Sequence, residues 1–245
     1  MRAADGFLYV VKFQNNPQGA RVLANELLAT RLAEAAGLPV PAAEVIEVSE
    51  WLISNTRELT IQLAGQSIPC LPGLQYGSRY ALPPWEGQVL DWLPQSMLDR
   101  VRNLEWFAGM LAFDKWLCNA DSRQAVWWRR SRERRYTASF IDHGYCFNAA
   151  EWSFPDSPLR GAYPWNEVYA GVRGWESFEP ALSRLEQMSE SAVWRCAEVV
   201  PPEWYAADAT ALEKLLQTLL RRRARLRELI ADFRQSSRQP FPNWR

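Results

Sequence analysis

Two stretches, Asn119-Ala-Asp-Ser-Arg-Gln-Ala-Val126 and Phe140-Ile-Asp-His-Gly144, decide how this chain is read. Between them, Ala125-Val-Trp-Trp128 and Tyr136–Ile141 carry the β-branched and aromatic residues of strands, with the arginine-studded Arg129–Arg135 as the turn. Hairpin pairing draws Asp121, just before one strand, towards Asp142, at the end of its partner. Two carboxylates held close either share a proton or bind a divalent cation. Phe140 and Ile141 put Asp142 at the end of a buried strand, where an unpaired charge is costly and a metal or an arginine would offset it. His143 is either an acid–base group or a structural turn residue.

Working outward, Phe7–Phe13 reads as a strand ended by Asn15-Asn-Pro-Gln-Gly19, and Arg21–Ala36 as a helix with a broad leucine and alanine stripe. Gly37-Leu-Pro39 stops that helix. Val40–Val48 is a second strand, and Trp51–Leu63 fits neither periodicity. The proline- and glycine-bearing stretch Pro69–Pro84 is taken as the boundary between two lobes. Gln88–Leu98 and Arg102–Cys118 are expected to be helical, and Glu151–Trp175 an ordered, irregular cap. The C-terminal third is expected to be helical, opening on a capping box at Thr210-Ala-Leu-Glu213 and keeping apolar spacing through Ile230.

Lys12 ends the first strand and Glu26 lies in the following helix. In a nucleotide-phosphate site a strand lysine meets the phosphates and a helical glutamate holds it; the plainer reading is a surface lysine and a solvent-facing glutamate. Only three of the 28 basic residues are lysines (Lys12, Lys115 and Lys214), so each survivor is a candidate for a place where a guanidinium will not serve.

Composition narrows the classes. With 245 residues, 48% hydrophobic and 23% charged, the chain can bury a sizeable core and is not disordered. A net charge of zero argues against a nucleic-acid binder, although Arg129–Arg135 beside Trp127 and Trp128, and Arg221–Arg227, keep that class in view. Four scattered cysteines and one histidine argue against a zinc site or a disulfide framework. With no signal-like apolar start and no run of membrane-spanning length, a cytoplasmic protein is expected.

The order strand lysine, helical glutamate, Asn-x-Asp loop, hairpin and Ile-Asp-x-Gly resembles the HipA-like kinases, bacterial relatives of the protein and lipid kinases. Tyr9-Val-Val-Lys-Phe13, Asn25-Glu-Leu27, Gly37-Leu-Pro-Val-Pro41, Phe113-Asp-Lys-Trp116, Asn119-Ala-Asp121, Ile141-Asp-His-Gly144 and Pro240-Phe-Pro-Asn-Trp244 carry the likeness along nearly the whole chain. The resemblance implies a two-lobed α+β kinase-like fold, a strand-rich lobe at 1–83 and a helical lobe at 84–245, with ATP between them. It implies that Lys12 contacts the phosphates, Glu26 pairs with Lys12, Asp121 serves the acceptor hydroxyl of a protein serine or threonine, and Asp142 holds Mg²⁺. Family members carry an asparagine five residues after the catalytic aspartate as a second metal ligand; Val126 stands there in this chain, leaving Asn119 or Gln124 as substitutes. Only Asp5-Gly6 precedes Lys12 where a glycine-rich loop would cover the phosphates. Both departures keep open a nucleotide-binding pseudokinase, an interaction module of toxin–antitoxin type.

Overall fold

The computed structural model describes residues 1–245. Strand β1 (Tyr9–Lys12), helix α1 (Arg21–Ala35) and strand β2 (Ala43–Val48) follow the periodicity of the sequence. The unresolved pattern over Trp51–Leu63 turns out to be a junction. A short helix α2 (Glu50–Asn55), capped by Ser49, gives way to strand β3 (Thr60–Leu63), which pairs with β4 (Gln66–Pro69).

The stretch Pro69–Pro84 contains β5 (Gly73–Arg79), the central strand of the first sheet, in the order β1-β5-β2. Its glycines hide it from a propensity reading. Gly77 is there for space: a Cβ at that position would come within 2.2 Å of Ile46 Cδ1 on the neighbouring strand. The chain then crosses at Tyr80–Glu86 to β6 (Gly87–Leu90), where a helix is expected from the sequence. Pro94 contributes to the difference, because it disfavours helical geometry at its predecessor Leu93 and so interrupts the expected helix; a 3₁₀ turn follows at Gln95–Arg100.

Helix α3 (Trp106–Leu117) is apolar nearly all round and buried. It begins four residues later than its pattern suggests, because Asn103 acts as a surrogate strand. That side chain bonds Ala138 O and N at 2.9 and 2.8 Å, closing the free edge of β8. Strands β7 (Gln124–Arg130) and β8 (Thr137–Ile141) form the expected hairpin, and β6 adds to β7 to complete the second sheet. The segment from Glu151 to Trp175 is irregular, with short 3₁₀ turns. Helices α4 (Ala181–Gln187), α5 (Glu190–Glu198), α6 (Ala209–Arg222) and α7 (Leu226–Arg234) complete the chain. Two details differ from the sequence reading. The cap of α6 is Asp208, which accepts from Ala211 N at 2.9 Å, and not Thr210; and a 3₁₀ turn at Arg223–Arg225 divides the last helical stretch in two.

One continuous core of 51 buried residues runs from α1 through α3 to α7, so the first sheet's helix packs as part of the helical body. A small second cluster, Phe13, Val48 and Cys70, sits beneath the β3–β4 hairpin. No helix is long and apolar enough to cross a membrane.

Candidate functional site

Helix α1 is buried on most of its faces, and Glu26 in it is 1% exposed. A carboxylate that deep requires partners, and it has two. One oxygen accepts from Lys12 Nζ at the end of β1; the other accepts from the backbone N–H of His143 at 2.8 Å. The lysine reaches further, to Asp142 Oδ1 at 3.0 Å. Lys12 and Glu26, on consecutive elements, are therefore met by Asp142 from 130 residues further along the chain than Lys12. Gly144 makes the approach possible, since a Cβ there would lie 2.5 Å from Val22 Cγ1 and 3.2 Å from Glu26 Oε1.

The charges stabilise one another. Burial alone would lower Lys12, but Glu26 and Asp142 outweigh it and hold the ammonium above its ordinary value. Burial raises Glu26 despite the lysine beside it. Burial also opposes ionisation of Asp142, yet Lys12, with help from Arg123, keeps that carboxyl below the usual range.

Lys12, Glu26 and Asp142 form one wall of a cavity of about 270 Å³ between the two sheets. Val10, Tyr76, Val89, Val126 and Ile141 supply apolar walls, and the end of β5 with the start of the crossing segment, Ser78–Ala81, closes one side. The cavity sets a cation and two carboxylates beside an apolar slot, which suits a ligand that has both an anionic part and an apolar part. Val126 belongs to the slot. It stands opposite Ser139 in the β7–β8 ladder, and an aliphatic side chain offers no metal ligand.

The other expected site residues lie on the loop after α3. Cys118 adopts a left-handed conformation (φ 51) that ends the helix, and the chain turns through Asn119–Asp121. Asn119 is wholly buried; it donates to Asp114 Oδ1 at 2.9 Å and accepts from Asp121 N at 3.1 Å, so its amide is committed to holding the loop. Asp121 is exposed, with its backbone carbonyl accepting from Gly161 N at 3.1 Å. Gln124 is exposed at the start of β7. None of these three lines the cavity. His143 is buried, with neither ring nitrogen partnered, against the edge of Phe113; burial holds it neutral, so it stands as a packed turn residue.

Two residues that the sequence reading passed over organise the site. Asp114 and Arg123 are both buried and form a bidentate pair, with Nε–Oδ2 at 2.9 Å. The remaining nitrogen of Arg123 donates to Ile141 O at 2.6 Å and to Asp142 O at 3.2 Å. Part of a signal is present in the sequence: Asp114 lies in a helix otherwise apolar except for Lys115, so it needs a cation, but the choice of Arg123 over Lys115 depends on the path of the loop between them. The arginine near the hairpin thus engages the backbone of Asp142 and leaves its carboxylate to Lys12.

The sequence profile of the HipA-like kinases matches residues 1–235. The chain belongs to the HipA-like kinase family. Among solved structures it is similar to the Helicobacter pylori proinflammatory kinase CtkA, at 15% identity and a TM-score of 0.55, covering 93% of this chain and 90% of that one. It is also similar to hydra Fam20, at 12% identity and 0.54, covering 95% and 80%. HipA of Shewanella oneidensis MR-1, in complex with HipB and operator DNA, gives 12% and 0.52, covering 94% and 61%. At such identities these structures speak for the fold, which is kinase-like. No curated protein matches the sequence. Family and fold together support a kinase-like phosphotransferase.

Proposed function

We propose that this HipA-like kinase transfers the γ-phosphoryl group of ATP to a serine or threonine hydroxyl of a protein, using Mg²⁺. The observation that carries the reading is the meeting of Lys12, Glu26 and Asp142 at the wall of the cavity. In this reading residues 1–83 and 84–245 act as two lobes around the nucleotide. The base takes the slot between Val10, Val89, Val126 and Ile141, and Lys12 meets the phosphates while Glu26 fixes its position. Phosphoryl transfer demands mainly positioning and compensation of charge, which these side chains are suited to supply.

The donor set is compatible with magnesium in one way only. There is no group of three or more acidic, histidine or cysteine side chains able to hold an ion unaided. Magnesium commonly binds one or two carboxylates together with substrate phosphates and water, and Asp142 at the cavity wall fits that role. Bound there, the ion would neutralise charge on the phosphate oxygens. Asp121, exposed on its loop, is the candidate for orienting an acceptor hydroxyl presented by a macromolecule and for taking its proton.

Val126 favours a second reading, a pseudokinase that binds nucleotide and acts as an interaction module, because the apolar side chain removes the usual second ligand. Incubation with ATP and Mg²⁺ followed by intact-mass spectrometry separates the two. An active kinase adds phosphoryl groups to itself or to a generic protein acceptor, seen as a mass increase of the phosphorylated protein, and Asp121→Asn produces none. Tight ATP binding with no mass gain under any condition supports the pseudokinase.

A further inference from the structure

We propose that the buried Arg123–Asp114 pair is the positioning device for Asp142, holding that residue in the backbone conformation from which its carboxylate faces Lys12. Asp142 has φ 62, a left-handed geometry that a non-glycine residue keeps only when its surroundings impose it. Its two ends are pinned from opposite sides. The carboxylate meets Lys12 at 3.0 Å, and the carbonyl accepts from Arg123 at 3.2 Å. The following N–H, that of His143, is bonded to Glu26 at 2.8 Å.

Arg123 can do this because all three of its nitrogens are committed: two to Asp114, and the third to the Ile141 and Asp142 carbonyls. Asp114 also accepts from Asn119, which in turn holds the Asp121 amide. One continuous chain of hydrogen bonds therefore runs from the Asp121 loop through Asn119, Asp114 and Arg123 to Asp142. Arg123 and Asp114 are 2% and 0% exposed, too deep for a solvated surface pair, and neither lines the cavity. They act through Asp142. A lysine cannot reproduce the fork, since its ammonium is a point charge without planar, divergent donors.

The test uses Arg123→Lys, which keeps the charge beside Asp114, and Asp114→Leu/Arg123→Met, which removes both charges without stranding either. Hydrogen exchange on the nucleotide-free protein reads the His143 amide. In both variants it should exchange at least about tenfold faster than in wild type, while amides within β7 and α3 keep their protection. Calorimetry with ADP, with and without Mg²⁺, reads the consequence, which rests on the nucleotide reading above. Metal-free ADP affinity should stay within about twofold, and the gain on adding Mg²⁺ should fall about tenfold. Wild-type protection at His143 in folded Arg123→Lys would overturn the proposal. So would uniform loss of protection across β7, α3 and His143 in both variants, which marks a purely structural pair. If wild type binds no ADP, the nucleotide reading fails, and the exchange result still decides the role of the pair.

Discussion

Lys12 and Lys115 show why a chain so rich in arginine keeps a few lysines. Lys12 fits between two carboxylates as a compact charge, where a guanidinium fork would displace one of them. Lys115 is 4% exposed, donates to Pro158 O at 2.6 Å and to Arg160 O, and lies over the Phe233 ring. Burial pulls its pKa down to about 8, although Asp114 opposes the shift. Because the folded-state value lies below the unfolded one, the unfolded chain binds more protons between pH 8 and 10.5, and this group's contribution to stability rises with pH across that window. Lys115→Met removes the term. Denaturant unfolding of both proteins at pH 7.5 and 10 should show wild type gaining on the variant by about 2–3 kcal/mol. A difference that does not change with pH would refute the buried-lysine account. The sequence scarcity of lysine hinted at Lys12 and Lys115 alike, but only the tertiary contacts separate a site residue from one that ties the Pro158–Arg160 segment to α3.

At the scale of elements, the site depends on where α1, β7 and the turn after β8 meet. Gly144→Ala would push a methyl into Val22 and Glu26, prising α1 from the Asp142 turn. The expected cost is about 1–3 kcal/mol of stability, with weaker nucleotide binding alongside; wild-type values for both would show that the contact yields freely. Val126→Asn puts a carboxamide oxygen on the cavity wall at a strand position, at a cost of up to about 1 kcal/mol in strand preference. It should raise the Mg²⁺ dependence of nucleotide affinity, and an unchanged dependence would place the second ligand elsewhere. The β7–β8 hairpin was legible because Trp127, Trp128, Phe140 and Ile141 have strong strand preferences and the arginine run marks the turn. Strand β5 was not, because Gly77 answers to the packing of Ile46 and Tyr9, information that lies in other segments, and Gly73 to a backbone φ of 100°. The helix expected at Gln88–Leu98 gives way to β6 pairing with β7 and to an interruption at Pro94, and only the second of these was visible locally. Asp114 and Arg123 escaped notice since their partnership crosses a loop whose path only the fold supplies.

For the whole molecule, the continuous core has a thermodynamic consequence. Helix α1 belongs by chain order to the first sheet, yet Asn25 donates to the carbonyls of Gly144, Cys146 and Ala149, and Arg21 to that of Ala150. Trp204 in turn donates to Leu74 O on β5 at 3.1 Å. Sheet and helical body are thus expected to unfold together, with tryptophan fluorescence and far-ultraviolet circular dichroism giving coincident transitions. Two separated transitions would mean that the halves fold independently. A nucleotide bound between them stabilises both, so Mg·ADP at a hundred times its Kd should raise the melting temperature by roughly 5–10 °C. If Lys12, Glu26 and Asp142 form a nucleotide–metal site, titration calorimetry of ATP with and without Mg²⁺ reads it. Wild type should bind ATP more tightly with Mg²⁺, and Asp142→Asn, still folded, should lose that gain. Absence of ATP binding by wild type, or an undiminished Mg²⁺ effect in Asp142→Asn, would contradict that assignment.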